Sequence, residues 1–313
     1  MMILVGGENL IDFIQDAPDG GFPAYRAIPG GAPFNVAKAV ARQGPAVGYM
    51  TPFSSDTLGQ LLAADLGREA NVTALHPASD KPTSLAVVSL KGGQAQYQFY
   101  RENTAERDVT AQSLRAILPP EARAFFVGSL AITDGADADA WEATMAHAHG
   151  AGLFTALDPN IRAPFIHDRA GYLERLSRLL QMADLVKLSD EDIAWIRPGE
   201  DPVEALKALA GEARAGFVVL TMGAEGAVGL VNGAEVRVPT APVPDLKDTV
   251  GAGDTFMGTL LAQCAQRGLM TRDGLAGLTR DTAHEILTVA ARAAAINCAR
   301  KGCNPPTAAE LVG

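Results

Sequence analysis

The sequence predicts an α/β fold: a mostly parallel central sheet with helices on both faces, plus a small antiparallel sheet set apart from it. Apolar runs of strand length alternate with longer helical patterns along most of the chain. Two segments in the first third, 10–30 and 84–102, break the alternation and read as strands of their own. The length of 313 residues, 48% of them hydrophobic and 20% charged, is enough for one large α/β domain with a substantial core.

In order along the chain, "MILVGG" reads as a buried first strand. "APFNVAKAVARQG" (32–44) is a helix: Val36, Val40 and the alanines between them line one face, and Gly44 suits the stop. "VGYMTPF" follows as a strand, then a helix near 57–69. Segment 84–102, "SLAVVSLKGGQAQYQFYRE", is a hairpin with "KGG" at its turn. Strand-like runs recur at "RAFFVGSL", "GLFTALD", "ADLVKLS" and "AGFVVLTMG", separated by helical patterns near 137–150, 169–182 and 202–210. After residue 221 comes a hairpin, "GAVGLVNGAEVRVP", with "NG" at its turn, then a helix from Gly253 and an alanine-rich helix over 282–299. Without repeats, linkers or low-complexity segments, 1–313 is expected to form a single domain, with 10–30 and 84–102 as a small lid.

Composition narrows the partners. A formal charge of −10 argues against a nucleic-acid or anionic-membrane surface, because phosphate polymers require a net basic face. The N-terminus "MMILVGGENLIDF" lacks a basic flank, and its apolar run breaks at Gly6 and Glu8, so a cytoplasmic location is expected. Cys264, Cys298 and Cys303 form no even disulfide framework and no zinc spacing, and the five histidines show no ligand constellation.

The stretch "DTVGAGDTF" (248–256) places Gly251, Ala252 and Gly253 between Asp248 and Asp254. Phe256, Met257, Leu260, Leu261 and Cys264 then recur at helical spacing, so the small residues form a helix N-terminus. Unpaired N–H groups and the positive dipole end converge there, and bare backbone lets an anion approach closely. Phosphate is the natural guest. Two readings of the acids remain open. Asp254 or Asp248 caps the helix, or Asp254 takes the proton of an attacking hydroxyl while the amides hold charge on a transferring phosphoryl group. The commoner phosphate loops are absent: there is no GxxxxGK[ST], and Gly251 and Gly253 lack the third glycine of a dinucleotide fingerprint.

Two motifs more than two hundred residues apart, "GGAPFNVAKAVARQG" (30–44) and "DTVGAGDTF", resemble the paired-glycine and anion-hole motifs of the PfkB, or ribokinase-like, family of sugar kinases. "GENLIDF", "FYRENTAERD", "LDPNIR", "VKLSDED", "LTMGAEGA" and "NCARKGCNPPT" agree in order and spacing, so the resemblance spans nearly the whole chain and is closest to the fructokinase branch. It implies a ribokinase-like fold and transfer of the γ-phosphate of ATP to a sugar hydroxyl, with Asp254 as base and the amides of Gly251, Ala252 and Gly253 as the anion hole. Asp12, Gly30, Gly31, Asn35 and Arg101 are then expected at the sugar, Glu8 being either a further contact or a solvated loop acid. Tyr97 and Phe99 wall the sugar or pack the lid. Thr221, Gly223, Gly226, Arg162 and Asn297 are expected at the nucleotide, although a hairpin turn also explains the two glycines.

The resemblance further implies Mg²⁺ with ATP, its water shell organised by Glu191 or Asp192 where the family's NxxE element is altered to "SDED". A monovalent cation, K⁺ by family, is expected near Asp248 and "KGCN". Lid sheets of this family often pair, so a homodimer through the lid is an option. Fructose is the leading acceptor; 2-keto-3-deoxygluconate and pentose or nucleoside acceptors are the rivals within enzymes. From other classes come a catalytically silent sugar or nucleotide sensor and a dehydrogenase, the second disfavoured by the missing dinucleotide fingerprint.

Overall fold

A computed structural model describes residues 1–19, 22–91, 94–243 and 245–312. From the N-terminus the chain runs β1 (Met2–Val5), β2 (Leu10–Asp19), β3 (Phe22–Gly30), α1 (Ala32–Arg42), β4 (Ala46–Tyr49), α2 (Thr57–Leu66), β5 (Val72–Ala74), β6 (Leu85–Lys91) and β7 (Gln94–Tyr100). It continues through α3 (Ala111–Ala116), β8 (Ala122–Gly128), α4 (Gly135–Gly150), β9 (Phe154–Asp158), α5 (Arg169–Leu180), β10 (Leu185–Ser189), α6 (Asp190–Ile196), α7 (Pro202–Glu212) and β11 (Phe217–Thr221). It ends with β12 (Ala227–Val231), β13 (Ala234–Val238), α8 (Ala252–Gln266), α9 (Arg272–Ala276), α10 (Arg280–Cys298) and α11 (Ala308–Val312).

Nine strands form the larger sheet in the order β13-β12-β11-β10-β9-β8-β1-β4-β5. Its pairs are parallel from β11 to β5, and β12 and β13 add an antiparallel edge. Strands buried on both faces must alternate two apolar sets, and β1 does: Ile3 and Val5 pack with Phe34, Val40, Met257 and Leu260, whereas Leu4 packs with Trp141 and Met145 on the other side. Thus α1, α8 and α10 cover one face, and α4, α5 and α7 the other. The expected layered α/β architecture is present.

The smaller sheet has the order β3-β2-β6-β7. Segments 10–30 and 84–102 each form an antiparallel pair, as expected, and a parallel pairing of β2 with β6 joins them. Leu10 and Ala86 seat this sheet on Leu130, just past β8. Gly92 and Gly93 of the expected "KGG" turn lie outside the described residues, as does the side chain of Tyr97. The "NG" turn is formed by Asn232 and Gly233, both at positive φ (49° and 83°), the backbone a two-residue hairpin requires. The helix expected to reach residue 69 stops at Leu66, with Gly67 as its C-cap. Among the described residues no helix is long and apolar enough to cross a membrane.

Candidate active site

The carboxyl ends of the parallel strands are where open α/β sheets bind ligands, and the expected site residues gather there. α8 begins at Ala252 with Gly251 as N-cap at φ +73°, and no side chain caps it. Ala252 N–H closes a turn on the Thr249 carbonyl (3.2 Å), and the first helical bond runs from Thr255 N–H to the Gly251 carbonyl (2.8 Å). First-turn N–H groups beyond these have no acceptor within the helix and face outward. A β-carbon on Gly251 would overlap Cys303 Sγ, and one on Gly253 would lie 3.2 Å from Lys187 Nζ. The bare backbone of the motif is therefore a packing requirement as well as an opening for an anion.

Asp254, in the first turn of α8, is buried, and its Oδ2 accepts a 2.8 Å hydrogen bond from Asn35 Nδ2 in the first turn of α1. Two motifs separated by more than two hundred residues thus meet through one hydrogen bond. Burial holds the Asp254 carboxyl above the usual carboxylate range, against the pull of Asn35, Arg162 and Lys187. Asp12 on β2 is pushed up to about 6 by burial first and by the Asp254 charge second. Two carboxylates therefore share the pocket, with the exposed Arg162 guanidinium acting on both.

Gly30 and Gly31 are more than a turn before a helix. A β-carbon on Gly30 would overlap Asp12 Oδ2, and Gly31, at φ +107°, would set one 2.7 Å from the Glu8 carbonyl. Glu8, weighed above as a solvated acid, is 2% exposed, and its Oε1 accepts from Ala32 N–H (3.1 Å). Arg101 is buried too; its Nε and Nη2 donate to the two oxygens of Glu106 at 2.8 and 3.2 Å, and Ser84 Oγ donates to the same carboxylate. Phe99 packs edge-on to Phe165, with centroids 4.6 Å apart.

At the carboxyl ends of the neighbouring strands, Lys187 Nζ on β10 donates to Asp158 Oδ2 at the end of β9 (3.1 Å), both residues buried. Sequence reasoning passed over Lys187, although a lone cation inside the apolar run "LVKLS" is a signal in itself. Burial pushes the Asp158 carboxyl up to about 7 despite the lysine. At Asp192, Oδ1 accepts from Ile161 N–H (2.6 Å) and Oδ2 from Ser189 N–H (2.7 Å), so its carboxylate serves a capping box and a turn clamp. Glu191 beside it is exposed.

Thr221, Gly223 and Gly226 end β11 and form the short turn into β12. Gly223 and Gly226 have positive φ (51° and 91°), and a β-carbon on Gly226 would overlap the Val238 carbonyl. Just beyond β13 a cavity of about 510 Å³ is lined by Thr240, Pro242, Thr288, Ala291, Ala295 and Ala299, among others. Asn297 lies between Ala295 and Ala299 of that lining. It is fully buried; its Nδ2 donates to the Val250 carbonyl (2.8 Å) and its Oδ1 accepts from Asn304 N–H (2.8 Å). It braces the loop before α8, and its helix neighbours line the cavity. Asp248 is likewise a clamp, accepting Val250 N–H and Gly302 N–H, each at 3.0 Å, one on each oxygen. Among the described residues no group of three or more acids, histidines or cysteines could hold a metal by itself.

Residues 2–310 match the family described as pfkB family carbohydrate kinase. The chain belongs to the pfkB family of carbohydrate kinases. This pfkB kinase is 36% identical over 281 residues to a fructokinase of Rhizobium leguminosarum bv. trifolii, a match covering 88% of the chain and 84% of that relative. It superposes with a TM-score of 0.88 on the ATP-bound fructokinase of Xylella fastidiosa, at 29% identity, over 99% of the chain and 97% of that one. A Vibrio cholerae O395 fructokinase with fructose, ADP and a calcium ion aligns with a TM-score of 0.84 at 25% identity, covering 99% and 97% of the two chains. The mostly parallel sheet and appended smaller sheet of this pfkB kinase are therefore the ribokinase-like fold.

Proposed function

We propose that this pfkB kinase transfers the γ-phosphate of ATP to the 6-hydroxyl of fructose. The observation that carries the reading is the Asp254 carboxylate, fixed by Asn35 beside an uncapped helix start. The sugar lies between Asp12, the glycine pair and Asn35, with its reacting hydroxyl against Asp254. The phosphates lie at Gly251–Gly253, and the adenine in the cavity between the 239–242 segment and α10. Fructokinases that bind ATP, or fructose and ADP, share the fold.

Phosphoryl transfer has a loose transition state, so positioning and charge matter most. Asp254 orients the hydroxyl and takes its proton as the oxygen–phosphorus bond forms. The amides at the start of α8 and the Lys187 ammonium face the charge spread over the moving group. Mg²⁺ bound with ATP supplies neutralisation of phosphate charge. The residues that suit its water shell are Glu191, which is exposed, and Asp158, whose Oδ1 is buried without a partner. A monovalent ion near Asp248 would share its two oxygens with the Val250 and Gly302 N–H groups they already accept. Sugar binding draws the smaller sheet down as a lid that excludes water. Exposed Phe22, Tyr25 and Tyr100 on that sheet favour a homodimer through the lid.

A panel of acceptors assayed by ADP release tests the reading. Fructose should give the highest kcat/KM; no sugar-dependent ADP formation would leave a silent sensor instead. The pH dependence is a second test. Fructose kcat/KM should fall as pH drops through about 6, where Asp12 takes up a proton and loses an acceptor for sugar hydroxyls. Stability runs the other way: a carboxyl held above its ordinary value favours the folded state when protonated, so this term is gained below the ordinary value and lost above about 6. In Asp12→Asn the acidic limb should move lower; a limb unchanged in that variant would overturn the assignment.

A further inference from the structure

Three buried side-chain atoms around the acceptor pocket have no hydrogen-bond partner among the described residues: Glu8 Oε2, Asn35 Oδ1 and Ser129 Oγ. Their residues are 2%, 5% and 3% exposed. Buried polar atoms are rarely left unpaired unless something outside the chain completes them. Asn35 is already tied to Asp254 through its other amide atom, which places its free oxygen beside the reacting end. Glu8 is tied to the start of α1 through its other oxygen. Ser129 immediately follows β8, which pairs with β1, the strand that leads to Glu8. The Ser129 hydroxyl lies beside the Glu8 carboxyl without a well-formed bond to it.

Ser129 carries a further sign. Its φ is +57°, a left-handed conformation that glycine adopts freely and serine does not. Strain of this kind persists where surrounding structure holds a side chain in place for use. The next residue, Leu130, packs on Leu10 and Ala86 of the smaller sheet, so Ser129 sits where that sheet meets the larger one.

The charges around it favour one class of acceptor. Arg101 acts on Glu8, but its guanidinium is already bidentate to Glu106. At this end one cation therefore stands against two carboxyl groups, whereas Arg162 acts on Asp12 and Asp254 at the reacting end. Glu8 Oε2 and Asn35 Oδ1 need donors, which a sugar hydroxyl provides and a carboxylate cannot. We propose that Glu8 and Ser129 form the hydroxyl-reading end of the acceptor pocket and that, with the Arg101–Glu106 pair, they make it select neutral sugars over sugar acids. This deepens the kinase reading above and rests on it.

The test compares wild type, Ser129→Gly and Glu8→Gln with fructose, other neutral sugars and 2-keto-3-deoxygluconate. Wild type should favour a neutral sugar over the acid by on the order of a hundredfold in kcat/KM. Ser129→Gly removes the hydroxyl and relieves the strain together: Tm should rise while KM for the sugar rises roughly tenfold, with kcat and KM for ATP little changed. Glu8→Gln keeps an oxygen for Ala32 N–H and should raise the sugar KM similarly. A higher Tm with unchanged sugar KM in Ser129→Gly would make the residue purely structural and overturn the proposal, as would a wild type that prefers the acid. Should wild type ignore fructose yet phosphorylate another neutral sugar with these same variant effects, fructose fails as the acceptor and the proposal stands. Should no sugar be turned over, calorimetric titration decides: tighter binding of neutral sugar than acid, weakened in Ser129→Gly, supports it, and equal binding refutes it.

Discussion

Replacing Asp254 by Asn should lower kcat roughly 10²- to 10⁴-fold and leave nucleotide binding and the fold intact. Asn keeps the shape of Asp and retains an oxygen to accept from Asn35 Nδ2, so the bond between α1 and α8 survives. What is lost is the proton acceptor. A neutral amide also replaces a carboxylate that burial disfavours, so Tm should not fall. The change should be felt at Asp12, whose elevated pKa owes its second-largest part to the Asp254 charge, and the acidic limb should shift downward. Asp248→Asn makes the contrast. It keeps one of the two loop hydrogen bonds and breaks the other, because the amide nitrogen cannot accept an N–H, at a cost of about 0.5–1.5 kcal/mol, and should affect stability more than chemistry. Near-normal turnover in the Asp254 variant would remove that residue from the role of base.

How far the sequence could be read follows from the range of the interactions involved. The strand and helix alternation was legible because β1, β8 and their neighbours are buried on both faces and carry apolar runs that little else explains. The glycine-rich motifs were legible because positive φ and close approach at Gly31 and Gly251 admit almost no other residue. Carboxylates and amides were harder, since their chemistry serves a ligand or the backbone equally well. Asp192 looked free for a metal, yet Ser189 three residues before it spells a capping box, and that local signal was present in "SDED". Nothing local announces the burial of Asn297, which depends on α10 packing against the loop before α8. The cavity between 239–242 and α10 is likewise a product of tertiary packing, whereas Arg101 and its partner Glu106 are only five residues apart.

Lys187→Met should lower kcat roughly a hundredfold or more, the scale of removing one preorganised group that faces developing charge. Its Nζ is fixed by Asp158 beside Gly253, at the start of α8. The single variant also leaves Asp158 buried without its cation, a loss of about 3–5 kcal/mol unless the carboxyl takes a proton. Since Asp158 already stands at about 7 with the lysine present, removing that opposing charge should push it higher. A carboxyl raised in the folded state stabilises only while protonated, so Tm of Lys187→Met should fall more steeply than that of wild type as pH rises through and above 7. Adding Asp158→Asn removes the second charge and should restore Tm and flatten its pH dependence. It should not restore kcat, because the positive charge beside Gly253 is still missing and the Asp158 carboxylate proposed for the magnesium water shell is gone as well. Recovery of kcat along with Tm in the double variant would reduce Lys187 to a structural ion partner and leave the amides of α8 as the anion hole without its help.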